Sequence, residues 1–267
     1  MTIRYNYYKD GKKKALTMSY DDGRTFDLRL VQLFNLHGIR GTFHLNSGKF
    51  TNEKYLSAED VRDKFTWHEI SGHTLTHPRL DKVSDEELIY EVMEDRRNLE
   101  ACCGYPVRGM SYPYGLYSEN IINMLRPLGM KYSRTTKATD SFRMPEDFMA
   151  WHPTCHHDSP KLFDLLEKFK TTDYPMALFY VWGHSFEFDK NNNWERIERF
   201  CAEAGGDDDV WYATNIEIYD YYAALRSLEF TADRTVVYNP TATDVWISVD
   251  GSPVRIAAGA TVDLKTA

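Results

Sequence analysis

Between residues 14 and 228 the chain alternates short apolar runs with segments whose apolar residues recur at helical spacing, about seven times in all. Parallel strands need a crossover between them, and a helix is the usual crossover. The alternation therefore points to an α/β fold, a parallel sheet covered by helices. The strand-like runs are 14–20, 42–45, 67–71, 107–112, 130–134, 176–182 and 210–214. Residues 177–182 are apolar without a break, as a strand buried on both faces requires. Between the runs, Phe26, Leu30, Leu33 and Phe34 share one face of a helix over 25–37, and Gly38 supplies its left-handed stop. Ser57 and Ser84 open capping boxes, the second leading a helix to about Glu100. Further helical segments cover 118–128, 160–170, 194–204 and 217–228.

The pattern changes after Phe230. Four short alternating runs, 234–238, 245–249, 254–256 and 261–264, are separated by turn signals such as Asn239-Pro240 and Asp250-Gly251. The expected organisation is a barrel over 1–230 and a β appendix over 231–267. The appendix is too short to fold alone, so it is expected to pack on the barrel.

Composition narrows the function classes. The net charge of −8 argues against a nucleic-acid partner, which needs clustered Lys and Arg. No run approaches the ~20 apolar residues of a membrane span. The first residues, MTIRYNYYKDGKKKAL, hold no apolar signal core, and the four cysteines form neither a CxxC pair nor a disulfide framework. A cytoplasmic protein with reduced thiols is expected. The 18 Tyr and 6 Trp leave open whether some line a sugar-sized cleft or all pack the core.

Four motifs carry chemistry, each just after an expected strand, where the active sites of β/α barrels lie. In Ser19-Tyr20-Asp21-Asp22-Gly23, adjacent carboxylates at a buried strand end repel unless a cation neutralises one, leaving the other to take a proton. A water-exposed Asp-Asp-Gly turn is the alternative. In His73-Thr74-Leu75-Thr76-His77 the i, i+4 spacing can set two imidazoles on one face of a helical turn, aimed at one ion. One carboxylate and two imidazoles suit zinc, or cobalt or nickel, and leave positions open for water and substrate. His184, ending an apolar strand, suits a general acid. Pro113-Tyr114-Gly115 can fix a backbone N–H toward an oxyanion.

In this order the motifs resemble the polysaccharide deacetylases of carbohydrate esterase family 4, over roughly residues 14 to 228. The resemblance implies a distorted (β/α)7-type barrel and a hydrolase that removes acetyl groups from N- or O-acetylated carbohydrate. It implies Asp21 as general base, Asp22, His73 and His77 as ligands of one divalent ion, the Tyr114 N–H as oxyanion donor and His184 as general acid. There are departures. The family's third motif carries an arginine that holds the base ionised, and that position here is Ser111. Arg108, on the opposite face of its strand, does not suit the role. Arg134, ending the next strand, is the candidate replacement. The family's Asp-Trp motif, which tunes the acid, has no clear counterpart. Trp151-His152 and Cys155-His156-His157 fall in that region unassigned, and Glu187 or Asp189 could orient His184 instead. Trp182, Tyr112 and Trp151 are expected to line the substrate cleft. Two other readings remain at this stage: a C–N hydrolase of the same superfamily acting on a small cyclic amide or ureide, and a silent carbohydrate-binding barrel.

Overall fold

The computed structural model describes residues 1–266. Its strands are β1 (Ile3–Arg4), β2 (Lys14–Asp22), β3 (Gly41–Leu45), β4 (Glu69–Gly72), β5 (Gly109–Ser111), β6 (Tyr132–Arg134), β7 (Cys155–His156), β8 (Ala177–Gly183), β9 (Val210–Tyr212), β10 (Glu229–Phe230), β11 (Val236–Tyr238), β12 (Val245–Val249), β13 (Ser252–Ile256) and β14 (Thr261–Asp263). Its α-helices are α1 (Asp27–Leu36), α2 (Ala58–Lys64), α3 (Asp85–Cys103), α4 (Glu119–Leu125), α5 (Leu162–Thr171), α6 (Phe186–Lys190), α7 (Trp194–Ala204) and α8 (Asn215–Arg226).

Local chemistry fixes the ends of these elements. Ser57 and Thr214 each close a reciprocal capping box with Asp60 and Glu217, and at Ser84 the hydroxyl accepts from the Glu87 amide. The helix before Gly38 stops where that glycine turns left-handed, and α3 stops likewise at Gly104.

The strands run parallel in the order β6-β5-β4-β3-β2-β8-β7. β9 takes the edge of β2 at Lys14–Leu16, below the stretch that β3 occupies. Closure comes from a stave the sequence did not announce. Trp151 bonds to β6 through Ser133 and Thr135, and four residues on, Cys155 and His156 pair with Val181 and Trp182 of β8. The stave contains Pro153 and only two strand residues, so neither alternation nor propensity marks it.

The lower end of the barrel is plugged by polar groups that satisfy one another. Glu69 accepts from the Tyr132 and Thr42 hydroxyls and from the Ile216 amide at 2.8–2.9 Å, and Asn215 links Thr17 to Tyr180. Burial pushes the Glu69 carboxyl up to about 7. The strand ends carrying the four motifs lie at the opposite end, so the plug leaves that end as the open one.

The tail forms two small antiparallel sheets, β1-β12-β13 and β10-β11-β14. Val237, Val245, Ile247, Ile256 and Leu264 share a core with Tyr8, Ala15, Ile218 and Leu225 at the lower end. Ile3–Arg4 and Glu229–Phe230 join these sheets, so the tail draws strands from outside 231–267. Among the described residues no helix is long and apolar enough to cross a membrane.

Candidate metal centre and active site

Successive residues of a strand point to opposite faces, so Asp21 and Asp22 would not share a site on a regular β2. The backbone resolves this. Asp22 takes a left-handed φ of 78°, and Gly23 follows at 68°. The turn brings the Asp22 carboxylate beside His73 and His77, with Oδ1 3.7 Å from the Nε2 of each.

His73 and His77 do not lie on a helical turn. They stand on the loop after β4, with Thr74 and His77 at φ of 67° and 72°. A non-glycine residue in this region costs about 1–2 kcal/mol, so the loop must be held from outside. Asn46 Nδ2 donates to the carbonyls of His73 and Thr74 at 2.5 and 2.8 Å. Glu91 of α3 accepts from the amide and hydroxyl of Thr76, and its carbonyl accepts from Leu75. Asp95 accepts from the His73 and Ser47 amides. The expected helical pairing is therefore corrected: hydrogen bonds from Asn46, just after β3, and from α3 converge the imidazoles, not a 3.6-residue period.

The donor chemistry fits a cation. His73 Nδ1 lies 2.9 Å from the Ser111 carbonyl, an obligate acceptor, so Nδ1 carries the proton and Nε2 presents a bare lone pair beside Asp22. Burial also lowers the pKa values of both histidines, His77 to about 4, keeping them neutral as ligands must be. Asp22, His73 and His77 form the one such group built from these motifs.

Asp21 is buried beside this trio. Its Oδ2 pairs with Arg134 Nη2, and Oδ1 accepts from the Ser111 hydroxyl at 3.1 Å. Burial alone would raise the Asp21 carboxyl; the Arg134 guanidinium, with smaller contributions from His73, His44 and His184, more than offsets this and holds the group well below the usual carboxylate range. His44, opposite Asp21 in register, is pushed down to about 3 by burial and stays neutral, so it does not replace Arg134 as counter-cation. Arg134 is itself fully buried and lies under the Trp182 ring, 4.3 Å from its centroid. Arg108 instead pairs with Asp220 on α8.

His184 follows β8, with Nδ1 3.3 Å from Glu187 Oε1. Burial pulls its pKa down, but Glu187 and then Asp21 more than offset this, and the net shift is upward. Glu187 is thus the carboxylate at His184; Asp189, two residues on, has no such contact among those described. Tyr114 sits at φ 60°, its ring edge-on to that of His77 with the centroids 4.6 Å apart.

Two of the three residues expected to line the cleft do not. Tyr112 is 1% exposed, its hydroxyl donating to the Met149 carbonyl. Trp151, also 1% exposed, is wedged among Tyr132, Tyr180 and Phe148. Tyr112 follows β5 and Trp151 lies on the closing stave, and both side chains point into packed layers, a direction that an aromatic count does not reveal. Trp182 alone of the three touches the site.

The comparisons agree with this geometry. Residues 8–133 match the polysaccharide deacetylase family, a span that includes Asp21, Asp22, His73, His77 and Tyr114. A chitooligosaccharide deacetylase of Azorhizobium caulinodans is 28% identical over 122 residues, 45% of this chain and 57% of that protein. A peptidoglycan-N-acetylglucosamine deacetylase of Bacillus cereus is 28% identical over 124 residues, 44% of this chain and 43% of the other. The matched part thus spans about half the length of these curated relatives. In fold, a candidate polysaccharide deacetylase of Mycobacterium smegmatis superposes with a TM-score of 0.60 at 16% identity, over 85% of this chain and 96% of that one. Over residues 8–133 the chain is thus similar to the polysaccharide deacetylase family, and the barrel, with His184, extends beyond that span.

Proposed function

We propose that this protein hydrolyses acetyl groups from N- or O-acetylated carbohydrate at the centre formed by Asp21, Asp22, His73, His77 and His184. The observation that carries the reading is the division of labour between adjacent carboxylates: Asp22 faces two imidazole nitrogens, while Asp21 is held ionised by Arg134. Asp22, His73 and His77 would hold one divalent ion, zinc by its donor set, with cobalt or nickel as substitutes. Such an ion supplies Lewis acidity toward a carbonyl oxygen and toward the attacking water.

The chain's own groups do the rest. Asp21 accepts the proton of the attacking water. Ser111 and Arg134 fix its two oxygens and keep it unprotonated at neutral pH. The Tyr114 amide, on its left-handed turn, donates to the oxygen that gains charge in the tetrahedral state, a contribution of about 3–4 kcal/mol for one such donor. His184 carries a proton on Nδ1 toward Glu187 and delivers the Nε2 proton to the departing amine or alkoxide. Trp182 walls the site over Arg134.

The test is Asp21→Asn, assayed by acetate release from acetylated chito- and xylo-oligosaccharides. Turnover should fall by at least about a hundredfold, as expected for loss of a general base, with metal content unchanged. Wild-type rates in the variant would remove Asp21 from the role.

A further inference from the structure

Behind His184 and Glu187 stand two histidines that the proposed reaction does not use. His156 Nε2 and His157 Nε2 lie 3.1 and 3.3 Å from the same oxygen of Glu187, Oε2, and the His184 amide donates to that oxygen at 3.3 Å. The other oxygen, Oε1, faces His184 Nδ1. His157 is fully buried, its ring between Tyr20 and Phe188 with centroids at 5.7 and 4.1 Å. It fits there only because residue 183 is glycine: a Cβ on Gly183 would lie 1.9 Å from His157 Nδ1.

His156, His184 and Glu187 have donor atoms close enough together to hold a metal ion, but tautomer chemistry argues against it. The Asp158 amide donates to His156 Nδ1 at 3.1 Å. A backbone N–H is an obligate donor, so that nitrogen is the acceptor, and the proton of the neutral ring sits on Nε2, facing Glu187. Nε2–H is a donor, not a ligand. His73 shows the opposite arrangement, with its proton held away from the shared centre.

We propose that His156, supported by His157, is a positioning residue for the acid. It anchors Glu187 Oε2 so that Oε1 stays aimed at His184 Nδ1, which leaves Nε2 as the nitrogen that gives up its proton. Asp158 fixes the tautomer of His156 and is itself held by Asn191 and Asn193. The chemistry rests on the deacetylase reading above; the hydrogen-bond arrangement does not.

Two measurements test it. Ring 15N shifts of the zinc-loaded protein should give His156 as the neutral Nε2–H tautomer, whether or not any substrate is turned over. An Nδ1–H tautomer, or two metal ions per chain falling to one in His156→Leu, would overturn the proposal. On acetylated chito-oligosaccharide, His156→Leu should lose about ten- to a hundredfold in kcat, the size of one hydrogen bond to a charged group, with KM within about twofold. His156→Gln, whose amide keeps a donor at that position, should recover most of it. Equal kcat losses in the Gln and Leu variants contradict positioning. If His156→Leu does not fold, the Gln variant and the tautomer decide. A wild-type protein that releases no acetate refutes the deacetylase reading while the tautomer still decides the anchoring.

Discussion

Ser111 and Arg134 face each other in register across β5 and β6, and both reach Asp21, one with a hydroxyl and the other with a guanidinium. The resemblance puts an arginine at position 111; the positive charge beside Asp21 here comes from Arg134, one strand over at the same height in the barrel. Ser111 fills the vacated place with a smaller group that serves two partners: it donates to Asp21, and its hydroxyl and carbonyl oxygens both lie within reach of His73 Nδ1. Asp21 and His73 are therefore tied to one residue.

Removing the displaced arginine should be costly. Arg134→Met leaves a buried carboxylate without its counter-charge, which destabilises by about 3–5 kcal/mol. Urea unfolding of the two proteins at pH 7 measures this directly. A loss below about 1 kcal/mol would mean that Asp21 is not held ionised by Arg134.

The same pair sets an acid limit. The folded Asp21 carboxyl titrates below its unfolded value, so the unfolded chain binds the proton more readily. Its stabilising contribution is complete above the ordinary carboxylate range near pH 4 and is lost as pH falls toward the depressed folded value. Unfolding free energy should decline with acid below about pH 4–5. In Arg134→Met the part of that decline due to this carboxyl should disappear, and an unchanged acid slope in the variant would refute the assignment.

His184 gives the alkaline counterpart. Its pKa is raised, with the Glu187 hydrogen bond the largest upward contribution against burial. As the acid it must be protonated, so kcat should fall as pH rises through that raised value. Glu187→Gln removes the negative charge, lowers the His184 pKa and moves the alkaline limb to lower pH. A limb that stays in place would show that another group donates the proton.

The two tryptophans separate core from cleft. Trp151→Ala should cost about 3–5 kcal/mol of stability. Trp182→Ala should instead lower kcat/KM, because its ring covers Arg134 and meets the His184 ring edge-on. Thermal denaturation and steady-state kinetics on the two variants, run side by side, distinguish the roles; a large KM effect in Trp151→Ala with little loss of stability would reverse them.

The barrel was legible because burial writes itself into sequence. Strand β8 is buried at every position and reads as an unbroken apolar run. The boundaries of α7 follow the sequence reading because its apolar face is regular. The closing stave was not legible, since its partners are set by tertiary hydrogen bonds rather than by its own side-chain pattern. The same distinction holds in the site. Asp22, His73 and His77 were identifiable by residue type, but the left-handed backbone at Asp22, Thr74 and His77 that aims them comes from Asn46, Glu91 and the turn at Gly23. Glu187 was one of two acidic residues close behind His184, and only the position of His184 Nδ1 separates it from Asp189. Trp151 and Tyr112 misled because aromatic residues serve cores and clefts equally well.

The central claim is best tested by acetate release during titration of metal-free protein with zinc, using acetylated chito- and xylo-oligosaccharides. Activity should rise to a plateau at about one ion per chain, the capacity of one Asp-His-His site, and be absent in His73→Ala at the same loading. No acetate at any loading, with ammonia or a ring-opened product from a small ureide instead, would contradict it.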